Sequence, residues 1–174
     1  MAAGDAELAR CCSILGRPAL NTFRQALRRL SSADMLAVSK TEAACYVNPW
    51  SRRTFEDCLA AEAKGYYCYA LTYGETMVGH CVFTVISHEA ELLNFCLAPA
   101  YQGQGLAKEF LLQVLADMTD QGSESVFLEV RKSNEAAIRL YLGCGFCEIG
   151  RRKAYYPHEQ GREDALLLIR STCL

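Results

Sequence analysis

Apolar positions recur along this chain with a period that changes several times, and each change marks a different element. Ala26 to Leu30 reads as a short strand. Ser31, Ser32 and Asp34 then offer helix N-caps, and a helix through Met35, Val38 and Ala43 is predicted. Asn48-Pro49-Trp50-Ser51 breaks that helix, Ser51 caps a second one reaching about Lys64, and Gly65 ends it. The pattern then turns to strands at Tyr67 to Thr72 and Met77 to Ser87, joined as a hairpin through Tyr73-Gly74-Glu75-Thr76. Glu91 to Ala98 is a third strand, stopped by Pro99. The clearest helix follows, because Leu106, Phe110, Leu111, Val114, Leu115 and Met118 fall on one face before Gly122 closes it. Ser125 to Val130 is a strand, and Ser133 or Asn134 caps a helix through Leu140 and Tyr141 that ends at Gly143 and Gly145. Phe146 to Tyr156 and Ala165 to Ser171 close the chain as two strands separated by a polar loop. The order is mixed α/β, a mostly antiparallel sheet with helices, in one domain over residues 23–174. Residues 1–22 carry no pattern and read as a loosely ordered extension.

Composition narrows the class. The 174 residues are 51% apolar and 22% charged, ordinary values for a folded domain with a real core. A net charge of −2 lacks the basic excess that nucleic-acid binding needs. No run of eighteen apolar residues exists, so no membrane span is expected. Asp5 and Glu7 precede any Lys or Arg, the wrong polarity for a secretory leader, so a cytoplasmic location is expected. Ten cysteines is a high count, yet Cys45, Cys58, Cys68, Cys81 and Cys96 sit in apolar-periodic segments, where a free thiol behaves as a small hydrophobe. Reduced cysteines follow, with no need for a disulfide.

Four signals for other chemistry are weak. Cys144-Gly145-Phe146-Cys147 resembles a redox dithiol, but it follows a helix C-terminus, where the dipole disfavours a thiolate. No second Cys or His pair stands at zinc-ligand spacing, so no metal is expected. His80, His88 and His158 are scattered and read as solvated or boundary residues. Arg151-Arg152-Lys153 reads as a solvated strand end that can also attract an acidic group.

The strongest chemical signal is a strand, then Gln102-Gly103-Gln104-Gly105-Leu106-Ala107, then an amphipathic helix. Glycines let backbone approach a ligand, and the first N–H groups of a helix point outward with the positive end of its dipole. The segment suits a pyrophosphate but is neither a Walker A motif nor the three-glycine dinucleotide fingerprint.

With that loop, Asn48-Pro49-Trp50-Ser51, Leu93-Asn94-Phe95, Leu128-Glu129-Val130-Arg131-Lys132-Ser133-Asn134, Ala136-Ala137-Ile138 and Tyr155-Tyr156-Pro157 with Gly161-Arg162-Glu163-Asp164-Ala165 form a set. Together they resemble the GNAT acetyltransferases, and within them the RimI-type ribosomal-protein-alanine N-acetyltransferases, over about Ala26 to Ile169. The resemblance implies the GNAT fold, with acetyl-CoA as co-substrate between the strands at 91–98 and 125–130. It implies that main-chain groups of Phe95, Cys96 and Leu97 pair with the pantetheine arm. Gly103, Gln104, Gly105, Leu106, Ala107 and Lys108 would surround the pyrophosphate, and Asn134 would bond the cofactor near its pantetheine. Glu129 would be the general base and Tyr141 the general acid. The partner it implies is a protein N-terminus, the alanine of the small-subunit ribosomal protein bS18. Ala107 departs from the Gly that relatives often carry, and Gly143-Cys144-Gly145 departs from a more polar segment.

The residues themselves support part of this. Val126, Leu128 and Val130 share one strand face, and Phe127 and Glu129 share the other, so Glu129 is a charge set into an apolar strand. The alternative is a glutamate facing water from an edge strand. Tyr141, late in an amphipathic helix, is by spacing a core or boundary residue. No Cys–His pair is evident, so direct transfer without a covalent intermediate is expected. Acetylation of a lysine side chain or a small amine, an acetyl-CoA-sensing module without catalysis, and a thiol oxidoreductase remain as alternatives. Deleting residues 1–22 is expected to leave kcat/KM within about twofold of the full chain, because patternless termini rarely build a site. Steady-state turnover of the truncated protein checks it.

Overall fold

In the computed structural model, residues 27–73, 76–158 and 161–171 are described. The extension expected over 1–22 and the tip of the hairpin at Gly74 and Glu75 lie outside them. The strands are β1 (Leu27–Arg29), β2 (Tyr66–Tyr73), β3 (Thr76–Ile86), β4 (Glu89–Leu97), β5 (Ser125–Arg131), β6 (Cys147–His158) and β7 (Gly161–Ser171). The helices are α1 (Met35–Cys45), α2 (Arg52–Ala60), α3 (Leu106–Asp120) and α4 (Glu135–Leu142). The seven strands form one sheet in the order β1-β2-β3-β4-β5-β7-β6. Only β4 and β5 run parallel; every other pair is antiparallel.

The mixed sheet flanked by helices agrees with the sequence expectation, and differences sit at element ends. The Ser51 hydroxyl accepts from the Thr54 N–H, as a cap should. The second helix stops at Ala60 rather than Lys64, and a 3-10 turn at Glu62–Lys64 leads to Gly65 at φ +86°. A Cβ there would lie 2.4 Å from the Val85 carbonyl, so only glycine fits. The loop expected between the last strands is mostly strand, since β6 runs to His158 and β7 begins at Gly161. There Arg162, Glu163 and Asp164 hold the polar sequence in strand geometry by side-chain bonds to neighbouring elements.

Two apolar clusters cover the two sheet faces. Phe110, Leu111, Val114, Leu115 and Met118 of α3 pack with Cys81, Phe83, Leu92, Leu128 and Tyr141. Burying these five α3 side chains contributes about 10 kcal/mol gross. Met35 and Val38 of α1 and Phe55 and Cys58 of α2 pack with Cys68, Ala70 and Val82 on the opposite face. Cysteines 58, 68, 81, 96 and 144 are buried, Cys45 is half-buried, and Cys147 is exposed; all seven are free thiols.

The phase of β4 changes within the strand. Val82 pairs Asn94 while Phe83 pairs Leu92, so Leu93 is an extra residue, a β-bulge. Ala90 and Leu92 before it face α3, but Asn94 and Cys96 after it face α1. The bulge therefore delivers a polar side chain to the buried interface with α1.

Glu42 of α1 meets it there. Its carboxylate accepts from Asn94 Nδ2 at 3.1 and 3.2 Å, from His80 Nε2 at 3.1 Å and from the Trp50 N–H at 3.0 Å. Glu42 and His80 are 1% and 0% exposed. His80 thus departs from the solvated or boundary role expected of it: it is a core residue on β3, packed edge-on against Phe55. A buried carboxylate is costly unless donors surround it, and here three residues supply them. Glu42→Ala would strand those donors in the core. It is expected to lower stability by about 3 kcal/mol or more, shifting Tm down by roughly 6–12 °C. Thermal unfolding checks this, with Glu42→Gln expected to lose less.

Candidate active site

The β4–β5 ladder is short. It runs from Glu89 opposite Ser125 to Leu92 opposite Leu128 and stops at the bulge. Beyond it, Leu93–Leu97 and Glu129–Arg131 continue on diverging paths, and a gap opens through the sheet. In an antiparallel pair, alternate residues direct their main-chain groups to the partner strand. Cys96 pairs His80 and the Ala98 N–H reaches the Val78 carbonyl, so Cys96 and Ala98 bond toward β3. Phe95 and Leu97 then direct their N–H and C=O groups into the gap. Side chains already meet the carbonyls: the Tyr46 hydroxyl donates to Phe95 at 2.7 Å, and Gln102 Nε2 donates to Leu97 at 2.7 Å. Of the three residues expected to pair with a ligand arm, Phe95 and Leu97 offer main-chain groups, whereas those of Cys96 are engaged with β3.

The glycine turn sits at the end of the gap. Gly103 and Gly105 have φ of +71° and +83°, and Gly105 is the N-cap of α3. Nothing lies within 4 Å of a Cβ built on either, so the backbone conformation and not crowding requires glycine. Lys108 and Glu109 N–H groups bond the Gly105 carbonyl, which leaves the N–H groups of Leu106 and Ala107 without a carbonyl inside the helix. Gln104 Nε2 bonds the Ala100 carbonyl and ties the loop back on itself. Gly103, Gln104, Gly105 and Lys108 are exposed, and Leu106 and Ala107 are half-buried. This is an open, donor-rich concavity suited to an anion.

Glu129 and Tyr141 flank the gap from opposite faces. β5 lies between β4 and β7, so Glu129 is on an interior strand, not at an edge. Its neighbours Leu128 and Val130 are buried toward α3, while Glu129 faces the α1 side, 20% exposed. Its Oε1 lies 2.8 Å from Arg152 Nε of β6. Tyr141 belongs to the cluster on the other face, 8% exposed, edge-on to Phe146 at 5.7 Å. Burial, and then the neighbouring Tyr156, Cys81 and Cys144, push its hydroxyl above the usual tyrosine range, so it keeps its proton at every physiological pH. Tyr156 links the two. Its hydroxyl is pushed up by burial and then by the negative Glu129, and it is near enough to Tyr141 to influence it in turn. Tyr46 is raised by burial and then by Cys96 and Tyr141. Residues from the α1–α2 loop, β5, α4 and β6 thus converge on one gap. The Asn134 side chain accepts from the Ala137 N–H at 3.1 Å and so starts α4, the helix that carries Tyr141.

The convergence of the splayed parallel pair, the glycine turn and a carboxylate on the strand beyond coincides with similarity to known proteins. The acetyltransferase (GNAT) family pattern matches residues 35–146. The chain belongs to the GNAT acetyltransferase family. It is 35% identical to the [ribosomal protein bS18]-alanine N-acetyltransferase of Escherichia coli K12 over 139 residues, 80% of this chain and 92% of that protein. Identity to the Haemophilus influenzae enzyme of the same name is 29% over 143 residues, 82% of this chain and 95% of that one. The crystal structure of the E. coli ribosomal-protein-S18-alanine N-acetyltransferase superposes with a TM-score of 0.78 at 33% identity, covering 85% of this chain and 94% of that one. The NatC complex bound to Gag peptide and CoA shares the fold, with a TM-score of 0.70 at 22% identity over 83% of this chain and 96% of that one.

Sequence reading alone missed Tyr46 and set Arg152 aside as solvent-facing. Tyr46 lies where helical periodicity ends, so no spacing marks it, although an aromatic beside Asn48-Pro49-Trp50 was a usable signal. Arg152 gains a partner only because β6 lies two strands from β5 and shares its face. Glu42, His80 and Cys96 bring ligand-type atoms within 4.8 Å of one another, and the Glu42 oxygens there are already met by nitrogen donors. The GNAT family uses acetyl-CoA, and the open N–H groups of Leu106 and Ala107 at the glycine turn suit the pyrophosphate of such a ligand. Gly105→Asp would add strain at φ +83° and a carboxylate at that turn. A loss of acetyl-CoA affinity of about 100-fold or more is expected, readable by calorimetric titration of the folded variant.

Proposed function

We propose that this GNAT chain is a protein N-terminal acetyltransferase that moves acetyl from acetyl-CoA to the α-amino group of an N-terminal alanine, that of ribosomal protein bS18. The supporting observation is its similarity, over 92% of the relative's length, to the E. coli enzyme named for that reaction. The reading places the reaction in the cytoplasm, where ribosomal proteins are made.

Acetyl transfer needs a neutral amine, a polarised thioester carbonyl and a protonated leaving thiolate. An α-amine has a reference pKa near ~8 and a lysine near ~10.4, so neutralising the former at pH 7 costs roughly 3 kcal/mol less. A carboxylate is an adequate base for that smaller task. Glu129 is assigned this role, directly or through one water. The amine then attacks the thioester carbon, the C–S bond breaks as the tetrahedral species collapses, and Tyr141 donates its proton to the departing sulfur. Burial keeps the Tyr141 proton in place for the departing sulfur, and the same upward push makes the hydroxyl a weaker acid than a solvated phenol. Phe95 and Leu97 would receive the pantetheine arm as an added strand, Gly103 to Lys108 the pyrophosphate, and Asn134, already the cap of α4, the pantetheine end.

The experiment is a pH–rate profile with an alanine-initiated peptide. Glu129→Gln is expected to slow the step by about 10²–10⁴-fold near pH 7. Rescue should set in near pH ~8, where the α-amine deprotonates unaided. Tyr141 stays protonated through that window, so the rescue is not masked by its ionisation. Tyr141→Phe should lower kcat while peptide and acetyl-CoA still bind. A flat profile at the wild-type rate for Glu129→Gln would remove Glu129 from the reaction. Fragment mass spectrometry of the product separates α-amine from lysine acetylation.

A further inference from the structure

The Gly161-Arg162-Glu163-Asp164 block of β7 marks the resemblance strongly, yet none of its residues has a part in the chemistry above. Its neighbours on β6 are irregular. Arg152 pairs Ala165 and Tyr156 pairs Glu163, so three residues, Lys153 to Tyr155, stand opposite the single Asp164. The middle one, Ala154, has φ +48°, in the left-handed region that alanine rarely enters. Such a conformation persists only where surrounding bonds enforce it.

The enforcing bonds come from that block. Asp164 Oδ1 accepts from the Ala154 N–H at 2.9 Å. Arg162 Nε donates to the Ala154 carbonyl at 2.6 Å, and a second Arg162 nitrogen donates to the Tyr155 carbonyl. Two side chains of one strand thus bond three main-chain groups of two consecutive residues of its neighbour. The bulge ends carry the residues that reach the gap. Arg152 at one end pairs Glu129, and Tyr156 at the other stacks over the Arg131 guanidinium at 4.4 Å. Cross-strand partners share a face, so Arg152, Tyr156 and Glu129 all lie on the α1 side of the sheet.

We propose that Arg162 and Asp164 are positioning residues that hold the β6 bulge open, so that Arg152 and Tyr156 form the rim against which the peptide N-terminus lies. The inference rests on the reading that the α-amine is delivered to Glu129. A bulge with two extra residues cannot relax into regular strand without moving one of its ends, because Arg152 and Tyr156 are both paired to β7. Without the clamp, Ala154 leaves the left-handed region and the spacing between the two ends changes. The acetyl-CoA arm and pyrophosphate, met by β4 and the glycine turn, lie outside this device.

The test compares peptide and acetyl-CoA binding in the full chain. Asp164→Ala is expected to lower kcat/KM for an alanine-initiated peptide by about 10-fold or more, mainly through KM. The acetyl-CoA Kd from calorimetry should stay within about twofold. Asp164→Asn keeps an oxygen for the Ala154 N–H and should restore most of the loss. Adding Ala154→Gly to Asp164→Ala should restore part of it, because glycine takes φ +48° without help. A general loss of packing would show neither this selectivity nor this rescue. If Asp164→Ala does not fold, Arg162→Lys, which can reach only one of the two carbonyls, carries the same comparison. Wild-type peptide KM in the folded variants, or an equal loss for both substrates, overturns the proposal. Glu129→Gln tests the underlying reading separately: a wild-type rate there removes the base, whereas an impaired Glu129→Gln beside an unaffected Asp164→Ala removes only the clamp.

Discussion

Everything that bears on the site follows from the parting of β4 and β5. Parallel strands that stay paired leave no room for a ligand between them, because neighbouring strands lie about 4.8 Å apart with their main-chain groups satisfied. Here pairing stops at Leu92 and Leu128, and the extra residue at Leu93 is the local cause. A bulge turns a strand and raises its twist. The consequence is a slot whose one wall carries the outward main-chain groups of Phe95 and Leu97 and whose other wall carries Glu129. An extended ligand arm can bond the first wall as though it were the missing strand.

The same bulge creates a polar debt in the core, and Glu42 answers it. Shifting the phase of β4 places Asn94 under α1, where an apolar side chain would be the default. The Glu42 carboxylate accepts from Asn94, from His80 and from the Trp50 main chain. It thereby fastens the start of the Trp50 segment to the strand that lines the slot. The α1–α2 loop, which also supplies Tyr46 to the Phe95 carbonyl, cannot shift without disturbing this set. The Glu42 oxygens are met, while His80 Nδ1 and Asn94 Oδ1 stay buried without a partner, so the set costs desolvation that its bonds only partly offset.

On the far side of the slot, β5 and β7 pack apolar residues toward α3 and carry charged pairs on the opposite face. Arg131 is paired to Glu163 at 2.8 Å and lies under Tyr156, and Arg152 is paired to Glu129 at 2.8 Å. On the proposed reading, an incoming ammonium would compete with Arg152 for the same carboxylate. The β6–β7 pair would then act on the substrate side, with β4 and α3 on the side of the acyl donor. The division follows from topology: β7 inserts between β5 and β6, so the end of the chain returns to the lip that bears Glu129.

Local pattern alone determined the order of elements, the cap at Ser51, a cap at Ser133 or Asn134, the glycine turn before α3, and the face of β5 from which Glu129 projects. These depend on neighbours within a few positions, through backbone dihedrals and side-chain period, and so can be read along the chain. Tertiary structure decided the rest. That Leu93 is a bulge, that His80 is a buried partner of Glu42, and that Arg152 reaches Glu129 depend on pairings between separate elements. Such pairings arise from strand order and register, which periodicity does not encode. Whether the polar segment Gly161–Asp164 is loop or strand was equally undecidable from its own residues. Its Arg162, Glu163 and Asp164 are satisfied by β6 and by the end of β5, and only the closed sheet brings those partners within reach.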